Sequence, residues 1–197
     1  MQQNLNVMKK IAAFLLLLCF PLLSMAQENC EYTLLTTDGG VEVKSTKEYL
    51  MYEKSFANTS TLVFFSLSNH DGIPVLNFQM LSKSKEFTKI QCLDKNSRIY
   101  LQLTNGRIIT LISLAEDQCS NLIFDEEQKT YIRVLTGAFV FVKDSFDALE
   151  KNPISLMRIK YATEVADYNI KKELVSETNN NSYFPESYFL NYLKCIL

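Results

Sequence analysis

Few side chains in this sequence have types and spacings suited to chemistry. His70 is the only histidine in 197 residues. It sits in Ser68-Asn69-His70-Asp71-Gly72. A hydrolytic triad needs a base, usually histidine, held against a nucleophile. The neighbours of His70 are the small polar residues that a turn selects in any case, so the sequence assigns it a turn role. Glu116-Asp117 and Asp125-Glu126-Glu127 offer the paired carboxylates that glycoside hydrolysis uses. Both clusters fall between predicted strands, where solvated loop charge is the ordinary expectation. The second lacks the alternating oxygen ligands and glycine of a calcium loop. With only five glycines, the chain has no G-x-S-x-G elbow and no phosphate-cradling loop, and the zinc-protease helix motif is also absent. The sequence therefore names no catalytic, cofactor-binding or metal-ligating residue.

Tyr183, Phe184, Tyr188 and Tyr192 form a dense aromatic group. Such a group either makes a carbohydrate or peptide surface or packs a last helix onto a sheet. Cys30, Cys92, Cys119 and Cys195 are the other distinctive set, and four cysteines allow three pairings. The expected pairs are Cys92–Cys119, clipping the ends of a central hairpin, and Cys30–Cys195, tying the two termini together. The alternative is four buried thiols. Metal binding is disfavoured, because no C-x-x-C occurs and His70 is remote from every cysteine in sequence.

An even cysteine count matters most in an exported chain. Lys9-Lys10, the apolar run Ile11 to Leu23 and the small residues of Ser24-Met25-Ala26 follow the order of a secretory leader. The apolar run is too short to span a bilayer. The sequence thus divides into a signal peptide, 1–26, and one strand-rich globular domain, 27–197, secreted or periplasmic after cleavage near Ala26. Met8 gives a more compact leader than Met1 and is the expected start. Cys19 lies in the apolar run behind Leu18, where lipidation would want a small residue. Removing Lys9 and Lys10 leaves eighteen basic residues against twenty-two acidic ones. A mildly acidic domain without basic clusters argues against nucleic acid and anionic membrane as partners. No later stretch is long and apolar enough to be transmembrane.

The elements that must position these groups are mainly strands. Thr61 to Ser68 and Val75 to Leu81 alternate around the His70 turn and predict a hairpin. Phe87 to Leu93 predicts another strand. Asn105-Gly106 between alternating runs predicts a type I′ hairpin, with Leu103 facing Ile108, Leu101 facing Thr110 and Ile99 facing Ile112 on the core side. Its opposite face is also apolar, which predicts cover on both sides. Tyr131 to Lys143 predicts a strand with an apolar even face, Ile132 to Val142, and a bulge or bend at Gly137. A short helix near 145–151 follows, then strands over Ser155 to Tyr161 and Val165 to Ile170. A C-terminal helix opens at Pro185 with the stripe Phe189, Tyr192, Leu193 and Ile196. Thr46 to Phe56 suits strand or helix equally. The fold class is α+β, mainly antiparallel β-sheet, as a sandwich or curved sheet.

The run Phe146-x-x-Leu149-x-x-x-Pro153-Ile154-x-x-x-Arg158-Ile159, followed by Asp167-Tyr168-x-Ile170 and a terminal helix, resembles uncharacterised small exported proteins of the Bacteroidota type. The resemblance covers roughly the last third of the chain. It implies a periplasmic or surface protein and brings no catalytic residues or cofactors. Arg158 alternates away from the Met157/Ile159 face, so an acid on the outer face is its expected partner. These features lead to the expectation of an exported, non-enzymatic domain that binds a protein or cell-surface partner. The alternatives are a small-ligand carrier with an apolar cavity and a carboxylate-dependent hydrolase.

Overall fold

The computed structural model describes residues 30–36, 42–70 and 72–197. The leader, Met8, Cys19 and Asp71 lie outside the described residues. Alternation becomes pairing in strands β1 (Tyr32–Thr36), β2 (Glu42–Thr46), β3 (Tyr49–Phe56), β4 (Thr59–His70) and β5 (Ile73–Ser84). β4 and β5 pair over their whole length, from Thr59↔Ser84 to His70↔Ile73. The connecting turn needs Gly72 at φ +84°, and Gly72 N–H donates to Asn69 Oδ1 at 2.7 Å. β2 and β3 share the other edge of β4, with β1 beyond β2. Thr46 to Phe56 is therefore mostly strand, and its mixed periodicity comes from a register shift between Leu50 and Tyr52.

The chain continues through β6 (Cys92–Asp94), β7 (Arg98–Leu103), β8 (Ile108–Ser113), β9 (Asp117–Cys119), β10 (Asn121–Asp125) and β11 (Thr130–Phe141). β11 lies along β5 from Tyr131↔Ser84 to Val140↔Val75. Its other edge is shared by β8 and β10. The helix α1 (Phe146–Leu149) leads to β12 (Ile154–Lys160) and β13 (Val165–Asn169), which extend the sheet from β7. Among the described residues eleven strands form this one antiparallel sheet, while β6–β9 and β14–β15 (Leu174–Val175 with Ser182–Tyr183) are separate ribbons. A C-terminal helix, α2 (Tyr188–Tyr192), runs between 3₁₀ turns at Pro185–Ser187 and Leu193–Cys195. The domain is α+β and strand-rich, as the pattern predicts.

The sheet curls on itself. Tyr52 of β3 and Tyr168 of β13, far apart in strand order, meet edge-on at 5.0 Å between ring centres. Tyr161 and Tyr168 hydroxyls are 2.7 Å apart, and Tyr161 also donates to Met80 Sδ at 3.3 Å. The enclosed face is filled by Phe65, Phe78, Phe139, Leu101, Met157 and Ile159, all buried. Each such side chain contributes about 1.5–3 kcal/mol by leaving water. Phe189, Leu193 and Ile196 of the C-terminal segment close the open side. On the outer face Arg158 does find an acid, gripping Asp167 with Nε–Oδ1 at 2.6 Å and a second hydrogen bond at 2.7 Å.

Four local expectations need correction. The β7–β8 loop has three residues, not two. Leu103 N–H donates to Arg107 O at 2.8 Å and Gly106 N–H to Leu103 O at 2.9 Å. Only Gly106, at φ +85°, takes the left-handed region there, which is a type I turn followed by a glycine rather than a type I′ turn. The extra loop residue slips the register by one, so Leu101 faces Ile109 and Ile99 faces Leu111. Ile99, Leu101 and Leu103 are buried as expected, but on β8 the buried residues are Ile109 and Leu111, and Ile108 is 61% exposed. The outer face of the hairpin is open, not covered. Second, β11 buries its odd face, with Leu135 and Phe139, because β5 pairing turns Ile132 to Val140 outward. Third, Phe87 to Gln91 is loop, and only Cys92–Asp94 is strand. Fourth, Gly137 pairs with Phe78 without a register break. It is there because Leu93 Cδ1 would lie 2.5 Å from any Cβ.

Gly106→Val should destabilise the protein by about 1–2 kcal/mol, the cost of a left-handed branched residue. A Cβ at Gly106 meets nothing within 4 Å, so the loss is backbone strain alone. Urea denaturation measures it, and an unchanged midpoint would mean that another turn geometry is available.

Candidate binding site

The aromatic group near the C-terminus splits between the two roles open to it. Tyr188 and Phe189 are buried against the sheet, where Phe65 contacts both rings at 6.0 and 6.4 Å. Tyr183 and Tyr192 are half-buried and Phe184 is exposed. The sequence missed Tyr49. It stands on β3, at the centre of the group, with ring centres 5.2 Å from Tyr183 and 5.3 Å from both Tyr188 and Tyr192. The mixed periodicity of Thr46 to Phe56 hid its direction. The four tyrosines line a cleft of ≈ 430 Å³, completed by Glu31, Thr46, Lys47 and Glu48.

Every element of this cleft is held by a specific tie. Pro185 has the fixed φ suited to starting a helical turn. Phe184 N–H donates to the Tyr49 hydroxyl at 2.6 Å, joining residues 135 apart in sequence. The Cys30–Cys195 disulfide, with Cα atoms 5.8 Å apart, draws Glu31 to the C-terminal helix. The Tyr32 hydroxyl donates to Cys195 O at 2.9 Å, and Asn69 Nδ2 to Ile196 O at 2.6 Å. Lys47 and Glu31 pair at 2.6 Å; both are solvated, so the pair adds little stability.

The cleft's phenols keep their protons. Burial pushes the phenols of Tyr49, Tyr188 and Tyr192 above their ordinary range, so they stay protonated at neutral pH. Tyr49 accepts from Phe184 N–H, and Tyr183 accepts from Asn179 Nδ2 at 2.8 Å. Each hydroxyl keeps its proton for an acceptor elsewhere. The Tyr188 hydroxyl is sealed from solvent beside the Thr46 side chain, and the Thr46 hydroxyl accepts from Leu67 N–H at 2.8 Å. Glu31 and Glu48 add acceptors at the rim. The cleft therefore offers flat apolar rings, protonated donors and carboxylate acceptors.

The residues named for chemistry are not brought together. Ser68 Oγ lies 3.0 Å from His70 Nε2, a pairing the sequence did not suggest. Ser68 is 1% exposed and accepts from Asn77 Nδ2 at 3.1 Å. So deeply buried a hydroxyl cannot be approached by a substrate. Glu116 and Asp117 are exposed at the start of β9. Asp125 caps its own turn by accepting from Glu127 and Gln128 N–H, both at 3.0 Å. Glu126 pairs with Lys129 at 2.8 Å. Both cysteine pairs form disulfides, Cys30–Cys195 and Cys92–Cys119, and Cys92 faces Cys119 across the β6–β9 ribbon. Among the described residues no group of three His, Cys, Asp or Glu side chains is placed to hold a metal. None of the described helices is long and apolar enough to cross a membrane.

The chain folds as a strand-rich α+β domain with an aromatic cleft. No family model, curated protein or solved structure matches the chain.

Proposed function

We propose that the chain is an exported, non-enzymatic domain that binds a protein or cell-surface partner through the tyrosine cleft. The observation that carries this reading is the group of half-buried Tyr49, Tyr183 and Tyr192 rings, which line a cleft rimmed by Glu31 and Glu48. Flat apolar rings with a polar handle are the side chains that binding surfaces favour. The leader and the two disulfides support export. Side chains fill the interior of the curled sheet, which speaks against a carrier with an internal cavity. Asp125 is tied into its own turn, Glu126 pairs with Lys129, and Glu116 and Asp117 are exposed, which speaks against a carboxylate hydrolase.

Tyr183→Ala and Tyr192→Ala should each lose saturable binding to washed envelopes of the producing cell. A wild-type chain without saturable binding, or variants that bind as well as wild type, would overturn the reading.

A further inference from the structure

β10 breaks the rules for an exposed sheet edge. It pairs with β11 alone among the described residues. Its three central residues, Leu122, Ile123 and Phe124, are 42%, 53% and 41% exposed. Edge strands are ordinarily blunted by lysine, proline or a bulge, and Asn121-Leu122-Ile123-Phe124-Asp125 contains none of these. The apolar surface extends past the strand. Phe124 packs on Tyr131 at 4.9 Å, Tyr131 meets Phe87 at 6.3 Å, and the Arg133 guanidinium lies 5.0 Å over the Phe87 ring. Phe87 itself is 69% exposed. An apolar row beside an open edge of main-chain donors and acceptors fits an added strand.

We infer that the occupant is β10 of a second copy, paired antiparallel about a two-fold axis at Ile123. The strand is self-complementary in that register. Ile123 faces Ile123, Leu122 faces Phe124, and the Asn121 amide faces the Asp125 carboxylate, to which it can donate. The two Asp125 charges stand at opposite ends of the pair. Sliding the strands until Asp125 faced Asp125 would set like charges against each other and lose the Ile123 contact. Leu122 and Phe124 share a face with Arg133 and Tyr131, their partners on β11. Pairing therefore joins the two aromatic rows into one across the axis. A five-residue strand and its flanking rings cover less than the standard interface of about 800 Å² per partner, so the dimer exchanges with monomer as concentration changes. The surface shares no residue with the tyrosine cleft.

Sedimentation velocity of the mature chain, from micromolar to millimolar, tests the pairing. The mean mass should rise from one chain toward two. Ile123→Lys should hold it at one chain with an unchanged melting curve, since residue 123 is exposed. Ile123→Cys should form a covalent dimer under mild oxidation at least tenfold more than Asp125→Cys, whose copies lie at opposite ends. A chain that stays monomeric throughout overturns the inference. So does a dimer that survives Ile123→Lys, or one that cross-links equally through both cysteines. A dimer lost in Ile123→Lys but never cross-linked at residue 123 overturns the two-fold register.

Discussion

Replacing Cys30 and Cys195 together with serine should destabilise the protein by about 4 kcal/mol, because this disulfide closes the longer of the two rings. Its cysteines are 165 residues apart in sequence, against 27 for Cys92–Cys119. A longer ring removes more freedom from the unfolded chain, although the dependence is only logarithmic. The native state also loses the tie that draws Glu31 to the cleft. The urea midpoint should fall with little change in slope. Mass spectrometry provides the companion check, since the chain with both disulfides should be four hydrogens lighter than the reduced one. A stability loss below about 1 kcal/mol would mean that the Tyr32 and Asn69 hydrogen bonds to the C-terminal backbone suffice to hold the ends.

Gly137→Ala is the second large effect, at about 2 kcal/mol destabilising. The new methyl group would stand 2.5 Å from Leu93 Cδ1 and 3.4 Å from the Phe139 ring. Leu93 has little freedom to yield. It is fully buried, and its ribbon is clipped by the adjacent Cys92–Cys119 disulfide. Leu93→Ala alone should cost about 3 kcal/mol by opening a cavity. The double variant should cost clearly less than the sum, because the new methyl occupies space that Leu93 leaves. Additive losses in denaturation would show that the two positions do not compete for the same volume.

Much of the fold is legible in the sequence because alternation and turn chemistry are local signals. The His70 turn, the β12–β13 pair and the stripe from Phe189 to Ile196 all follow from them. Register was harder to read. Asn-Gly suits both a two-residue and a three-residue loop, and one residue decides whether Ile108 or Ile109 is buried. The face of β11 was equally hard, because both of its faces are apolar and the choice rests with β5. Gly137 shows the same limit, since a close approach by Leu93 leaves no trace in the neighbouring residues.

The candidate site was half legible. The aromatic density at Tyr183 to Tyr192 is plain in the sequence, and its division between packing and cleft is not. Tyr49 comes from more than a hundred residues away, behind an irregular register. β10 was hidden by its neighbours. Its apolar centre is bounded by polar and acidic residues that read as loop, and only pairing with β11 makes it a strand.

The tie between Tyr49 and Phe184, with the disulfide beside it, has a consequence for assembly. A chain made from its N-terminus presents β3 and β4 well before residues 183–195 arrive. Until then the aromatic faces of Phe65 and Tyr49 have no cover, and Cys30 has no native partner. Completion of the cleft therefore waits on residues 183–195. In a pulse of newly made chains under oxidising conditions the Cys92–Cys119 bond should appear first, and the Tyr49–Phe184 tie should form together with the Cys30–Cys195 bond.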